Sequence, residues 1–185
     1  MRTELGMGTR PTPVGSVRFA VGEGGALVAL GFEDRWEPLA AWLSRRFGEI
    51  RFVSSMAAER VGRAMDAYLA GDVCGIDGLA VDAGGTDFQR RVWAALRAIP
   101  AGTTCSYSAI ARAVGAPRAV RAVGTANGDN PVSIIVPCHR VIGADGALRG
   151  YGGGLHRKEW LLAHESRAAQ MPASLGWSTA SSTQA

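Results

Sequence analysis

A chain of 185 residues with 47% apolar content can bury a core as one domain or two small ones. Its three cysteines, Cys74, Cys105 and Cys138, are an odd number with no C-x-x-C pair, so neither a disulfide framework nor a zinc cage is signalled and a reducing, cytoplasmic setting is expected. The net charge of +4 is unevenly placed: residues 1–85 hold nine Arg against eleven acids, whereas residues 86–165 hold nine Arg and one Lys against five acids. A basic half beside an acidic one suits a polyanion such as nucleic acid, although on charge alone a solvated surface is the commoner reading. The start Met1–Gly6 has no long apolar core behind its charge, and the run Ala26–Leu30 falls far short of a membrane span.

In chain order, Val14–Ala20 and Gly24–Phe32 read as short strands around a Gly-rich turn. Trp36–Phe47 and Met56–Ala70 place apolar residues at helical spacing. Residues 1–84 therefore form a small α+β unit, ending in a Gly- and Asp-rich connector with one short strand, Leu79–Val81. The second unit, 85–166, opens with Thr86-Asp87-Phe88-Gln89, a capping box, after which Phe88, Val92, Leu96 and Ile99 mark one helical face. Pro100-Ala101-Gly102 stops that helix.

Ser106 caps a predicted helix running to Gly115, and Pro117 starts another running toward Asn127-Gly128. Two short helices around a Gly-Ala-Pro turn form a candidate helix-turn-helix, with a plain αα-hairpin as the alternative. The second helix is rich in small residues (Ala119, Ala122, Gly124, Ala126) and carries Arg118 and Arg121 on one face. Next, the apolar run Val132–Val136 reads as a buried strand that ends on Pro137 and presents Cys138, His139 and Arg140. A thiol beside a proton acceptor and a cation is the usual setting for an activated nucleophile, with hydrolase and redox roles open at this point.

Cys74 and Cys105 read as small buried hydrophobes, and Trp93 and Trp160 as core residues. A last helix, Leu155–Ser166, carries His156 and His164 as surface or packing residues. The Ala- and Ser-rich stretch 167–185 is predicted to be a disordered tail.

From Thr86 to Glu165 the chain closely resembles the O6-alkylguanine-DNA alkyltransferases, proteins that repair DNA by taking an alkyl group onto their own cysteine. The resemblance rests on Phe88-Gln89, Ser106-Tyr107, Arg121-Ala122-Val123-Gly124, Asn130-Pro131, Pro137-Cys138-His139-Arg140-Val141, Tyr151-Gly152-Gly153-Gly154 and Lys158-Glu159-Trp160-Leu161-Leu162, in that order and spacing. It implies an α+β fold: a ribonuclease H-like N-terminal domain, then a mainly helical domain with a helix-turn-helix and an active-site cysteine loop.

It also implies roles. Cys138 is the acceptor thiol, His139 draws off its proton through a water, and Glu165 holds the imidazole. Tyr107 assists departure of the guanine, and Asn130 braces the cysteine turn. Arg121 is the finger that replaces the flipped base, with Arg118, Tyr107, Ala122, Gly124 and Thr125 forming the rest of the DNA-binding surface. Pro137, Val141, Tyr151, Gly152 and Gly153 belong to the substrate pocket. The implied partner is double-stranded DNA containing O6-alkylguanine, and by extension O4-alkylthymine, bound through the minor groove by a monomer, with cooperativity left open. No cofactor is implied, and the first unit lacks a Cys/His set for a metal. A lesion-binding module without transfer and an unrelated cysteine hydrolase are the competing classes.

Overall fold

The computed structural model describes residues 2–170. Strands β1 (Thr3–Arg10), β2 (Val17–Val21), β3 (Leu27–Phe32) and β4 (Ile50–Val53) form one sheet in the order β3-β2-β1-β4. The β1–β2 and β2–β3 pairs are antiparallel and β1–β4 is parallel. Helices α1 (Trp36–Phe47) and α2 (Met56–Leu69) cover opposite faces. Trp36 and Leu43 of α1 pack with Leu5, Ala20, Val28 and Ala29, while Val61, Met65 and Tyr68 of α2 pack with Val17, Phe19, Leu27 and Leu30. Because both faces are covered, β2 and β3 read as continuous apolar runs rather than alternating ones. Leu43 is fully buried. Leu43→Ala should therefore lower stability by about 2–5 kcal/mol in urea unfolding.

The first strand passed unseen in the sequence because Gly6 and Gly8 interrupt its pattern. Gly8 is required there: a Cβ would lie 2.4 Å from Phe19 Cζ. The expected strand at Leu79–Val81 reduces to a single bridge between Val81 and Leu27.

The second unit begins with α3 (Asp87–Arg97), whose capping box is present as read: Thr86 accepts from the Gln89 amide while the Gln89 side chain accepts from the Thr86 amide. The two-residue strand β5 (Cys105–Ser106) follows, then α4 (Tyr107–Ala113), capped by Ser106. After α5 (Val120–Gly128) come β6 (Val141–Ile142), parallel to β5, and α6 (Leu155–Gln170). One contiguous set of buried side chains runs from Val17 through Tyr68, Leu96 and Val136 to Leu161, so the two units share a core. The α+β class expected from the sequence is the class found.

Four expectations are corrected. Val132–Val136 is not a strand: Val132 makes one bridge to Leu30 on the edge of β3, then the chain turns, with Ile134 at φ 71°. Its apolar character records burial, which a tight loop under the core requires as much as a strand does. Helix α5 starts at Val120 rather than Pro117, because residues 116–119 close a turn in which Ala119 donates to the Ala116 carbonyl with Pro117 at its second position. Arg118 therefore sits in that turn and does not share a helix face with Arg121. Cys74 is exposed and so is not a buried hydrophobe, whereas Cys105 is half-buried and packs against the core. Finally, α6 continues to Gln170, past the boundary expected at 166; residues 171–185 of the expected tail lie outside the described residues. Among the described residues, no helix is long and apolar enough to cross a membrane.

Candidate active site

The loop from α5 to Cys138 is fastened from within. Asn130 Nδ2 donates to the Val136 carbonyl at 2.7 Å while its Oδ1 accepts from the Val132 amide at 2.9 Å. This asparagine closes the loop on itself, which accommodates the left-handed Ile134, an uncommon state for a β-branched residue. Cys138 then opens a single 3₁₀ turn, Cys138–Arg140. The thiol is 5% exposed and lines a cavity of about 720 Å³. Tyr107, Ser133 and Tyr151 line it, as do Gly124 of α5 and the exposed Arg121 and Arg149.

Behind the thiol lies a buried polar hub centred on Glu165. His139 Nε2 meets Glu165 Oε1 at 2.9 Å, and both side chains are fully buried. Arg140 grips the same carboxylate with two bonds, Nη2 to Oε1 and Nε to Oε2, each 2.8 Å, and its Nη1 donates to the Ile99 carbonyl. Tyr68 Oη donates to Oε1 at 2.9 Å, and the Gly102 amide reaches Oε2 at 3.3 Å. Burial alone would raise the Glu165 pKa, but the bonds from His139 and Arg140 outweigh it and hold the group far below the carboxylate range.

His139 is pulled the other way. Burial lowers its pKa against the opposing Glu165 interaction, so the imidazole is neutral at pH 7. Its Nδ1 has no hydrogen-bond partner in the protein. This leaves one ring nitrogen fixed by the carboxylate and the other free to accept a proton.

The electrostatics differ from the sequence expectation in one respect. The guanidinium expected beside the thiol is committed to Glu165, and the cation that acts on Cys138 is Lys158. Burial pushes the Cys138 thiol up, while the Asn130 amide and the Lys158 charge oppose the shift. The resting nucleophile is thus a thiol, not a preformed thiolate. Tyr107, half-buried at the start of α4, is raised by burial and by its proximity to Cys138, and remains a phenol.

The other expected residues divide. Tyr151 and Gly152 line the Cys138 cavity, whereas Gly153 borders a neighbouring cleft between α1 and the 128–133 loop. Pro137 and Val141 are buried and do not line either cavity; Val141 backs the site through its carbonyl. On α5, Arg121, Ala122 and Thr125 are exposed and Gly124 half-exposed, and Trp93 Nε1 anchors the helix by donating to the Ala126 carbonyl at 2.8 Å.

Sequence reasoning missed Tyr68, Lys158 and Asn127. Lys158 is fully buried, with Nζ 2.6 Å from the Val141 carbonyl and 2.7 Å from that of Arg149, so it ties the loop over the cavity to β6. A signal existed: it is the only lysine in a chain whose other cations are all arginine. Asn127, buried on α5, reaches the Cys138 carbonyl with Nδ2 at 3.5 Å.

Residues 87–167 match the family model described as the DNA-binding domain of 6-O-methylguanine DNA methyltransferase. The methylated-DNA–protein-cysteine methyltransferase of Salmonella typhimurium is 48% identical over 157 residues, covering 83% of this chain and 91% of that protein. The chain belongs to the methylated-DNA–protein-cysteine methyltransferase family. The family member from Mycolicibacterium paratuberculosis is 57% identical over 119 residues, 64% of this chain and 68% of that protein.

Structural likeness extends beyond the C-terminal unit. A variant of the Mycobacterium tuberculosis O6-methylguanine methyltransferase superposes with a TM-score of 0.75 at 42% identity, over 92% of this chain and 97% of its own. A second structure from M. tuberculosis, described as OGT in complex with DNA, gives 0.74 at 43% identity, over 88% of this chain and 94% of its own. The family's name joins methylated DNA to a protein cysteine. Of the three cysteines here, Cys138 is the one that lines the cavity beside α4 and α5.

Proposed function

We propose that this chain repairs DNA by transferring the alkyl group of O6-alkylguanine, and by extension O4-alkylthymine, to Cys138 in a single turnover. The observation that carries the reading is the placement of a buried thiol in a cavity bordered by α5, with the adjacent imidazole held by a carboxylate. In-line attack forms the Sγ–C bond as the C–O6 bond breaks. The thiol proton passes to Nδ1 of His139 through a water, which gives Glu165 the orienting and charge-stabilising role of a triad carboxylate. Tyr107 gives its proton to the guanine, which leaves as a neutral base, and exchange with solvent restores both groups.

The reacting carbon lies inside a duplex, so the nucleotide has to be extruded, and a poorly paired, alkylated base costs less to flip. Arg121, exposed where it lines the cavity, is suited to fill the gap in the stack, while the small exposed face of Ala122, Gly124 and Thr125 allows close approach in the minor groove. Minor-groove patterns are degenerate, which suits repair at any sequence. Arg118, in the turn before α5, is a phosphate contact, and the protein acts as a monomer. No second thiol stands in the cavity to release the alkyl group, so each molecule reacts once.

The test is single-turnover demethylation of a duplex carrying one O6-methylguanine, run beside transfer from the free base O6-methylguanine. Restoration of one guanine per protein supports the reading, and repeated turnover or indifference to the lesion contradicts it. Arg121→Ala should slow duplex repair by roughly tenfold or more while leaving the free base nearly unaffected, because no flipping is needed there. Equal slowing on both substrates would remove Arg121 from the finger role. Arg118→Ala should weaken DNA binding uniformly across sequences and reduce the salt slope by about one.

A further inference from the structure

Tyr68 stands in the last turn of α2, in the N-terminal unit, 97 positions from Glu165 and fully buried. Its ring lies 5.2 Å from that of His164, centroid to centroid, and its carbonyl accepts a hydrogen bond from His164 Nε2 at 2.8 Å. Packing alone would be served by phenylalanine at this position. A buried hydroxyl is costly unless it is bonded, and this one has Glu165 Oε1 as its partner at 2.9 Å. The same oxygen meets His139 Nε2 and Arg140 Nη2. The groups facing the carboxylate are thus His139 and Arg140 from the 3₁₀ turn, Tyr68 from α2 and the Gly102 amide after α3. Lys158 and Tyr151 are the further titratable groups close to this cluster.

We propose that Tyr68 is a positioning residue for methyl transfer: from the N-terminal unit, its hydroxyl fixes the Glu165 carboxylate and draws charge from it, keeping His139 a neutral base. This rests on the reading of His139 as the proton acceptor. A carboxylate oxygen that gives up density to a phenolic O–H offers less to the imidazole on its other side. Loss of that donor strengthens the hold of Glu165 on a protonated imidazole, so the His139 pKa rises and less neutral base is present in mild acid. The first unit, which places no residue on the walls of the Cys138 cavity, thereby takes part in the chemistry.

The test compares Tyr68→Phe, which removes the donor, with 3-fluorotyrosine installed at position 68, a more acidic phenol and a stronger donor. With only three histidines in the chain, the His139 imidazole can be followed by NMR titration of the DNA-free protein. Tyr68→Phe should move its titration upward by a few tenths of a unit, and the fluorinated residue should move it downward. The single-turnover transfer rate of Tyr68→Phe should fall by about twofold in mild acid, the loss of neutral imidazole that a shift of a few tenths brings, and by less in mild alkali. Should Tyr68→Phe not fold, the fluorinated protein, which keeps the shape and the bond, decides by the sign of its shift. A His139 titration unchanged in the proteins that fold, or a rate loss equal at every pH, overturns the positioning role. The titration needs no DNA, so an absence of methyl transfer in the parent protein would count against the proposed function and not against Tyr68.

Discussion

Cys138→Ala should abolish alkyl transfer while leaving lesion-containing DNA bound. The side chain is small and buried, its backbone is held by the 3₁₀ turn and by the loop that Asn130 closes, and alanine fits the same space without strain. No other thiol can substitute, since Cys74 is exposed and Cys105 does not line the cavity. The expected loss is therefore complete, whereas the DNA-facing residues on α5 are untouched. Single-turnover assays and lesion-duplex titrations separate the two readouts. Residual transfer at the normal rate would mean the nucleophile lies elsewhere.

Glu165→Ala carries the second large effect, on stability as well as rate. Its carboxylate serves His139, Arg140, Tyr68 and the Gly102 amide at once, all away from water. Removing it leaves the Arg140 guanidinium buried with only the Ile99 carbonyl as partner, a change worth about 3–5 kcal/mol of destabilisation. Denaturant unfolding should show that loss. Glu165→Gln, closer in shape, should fold better yet still slow transfer, since a neutral amide cannot stabilise the imidazolium. Wild-type transfer in Glu165→Gln would separate the carboxylate from the chemistry.

The same hub sets a pH dependence of stability. Glu165 is held below its unfolded value, so its contribution is fully present above about pH 4.5 and is lost as the pH falls through the folded pKa. His139 is also lowered when folded, so protonation favours the unfolded chain once the pH drops below about 6.5. Both terms act in one direction. The unfolding midpoint should decline from about pH 6.5 downward, and the part of that decline below about pH 4.5 should be gentler in Glu165→Gln than in the parent.

How much of this could be read from the chain depends on where the partners lie. Helix α1 spans the predicted residues, α2 ends one residue short, and the Thr86–Gln89 capping box needs only near neighbours, so local spacing sufficed for all three. Cys138-His139 stood out because the chemistry is adjacent in sequence. Glu165 did not, because on α6 it shares a face with Lys158 and Leu161, and a face carrying two charges reads as solvated. That face is buried only because compensating groups arrive from far away: His139 from 26 positions, Tyr68 from 97. Glu165 is legible only through the likeness to a family, and Tyr68 has no local signal at all.

The Val132–Val136 run misled for a related reason. Burial makes a sequence apolar whether the backbone runs straight or turns, and the turn here is enforced by Asn130, whose side chain takes the bonds that a strand neighbour would otherwise supply. Pro117 serves a turn as readily as a helix start, which is why Arg118 lies before α5 and not on it.

The most direct measurement is peptide mass mapping after incubation with a duplex containing O6-methylguanine. Alkyl transfer to Cys138 predicts a single methyl increment on the peptide containing that residue, in amounts equal to the guanine restored. An unmodified Cys138 peptide alongside repaired DNA, or an increment on Cys74 or Cys105 instead, would contradict it.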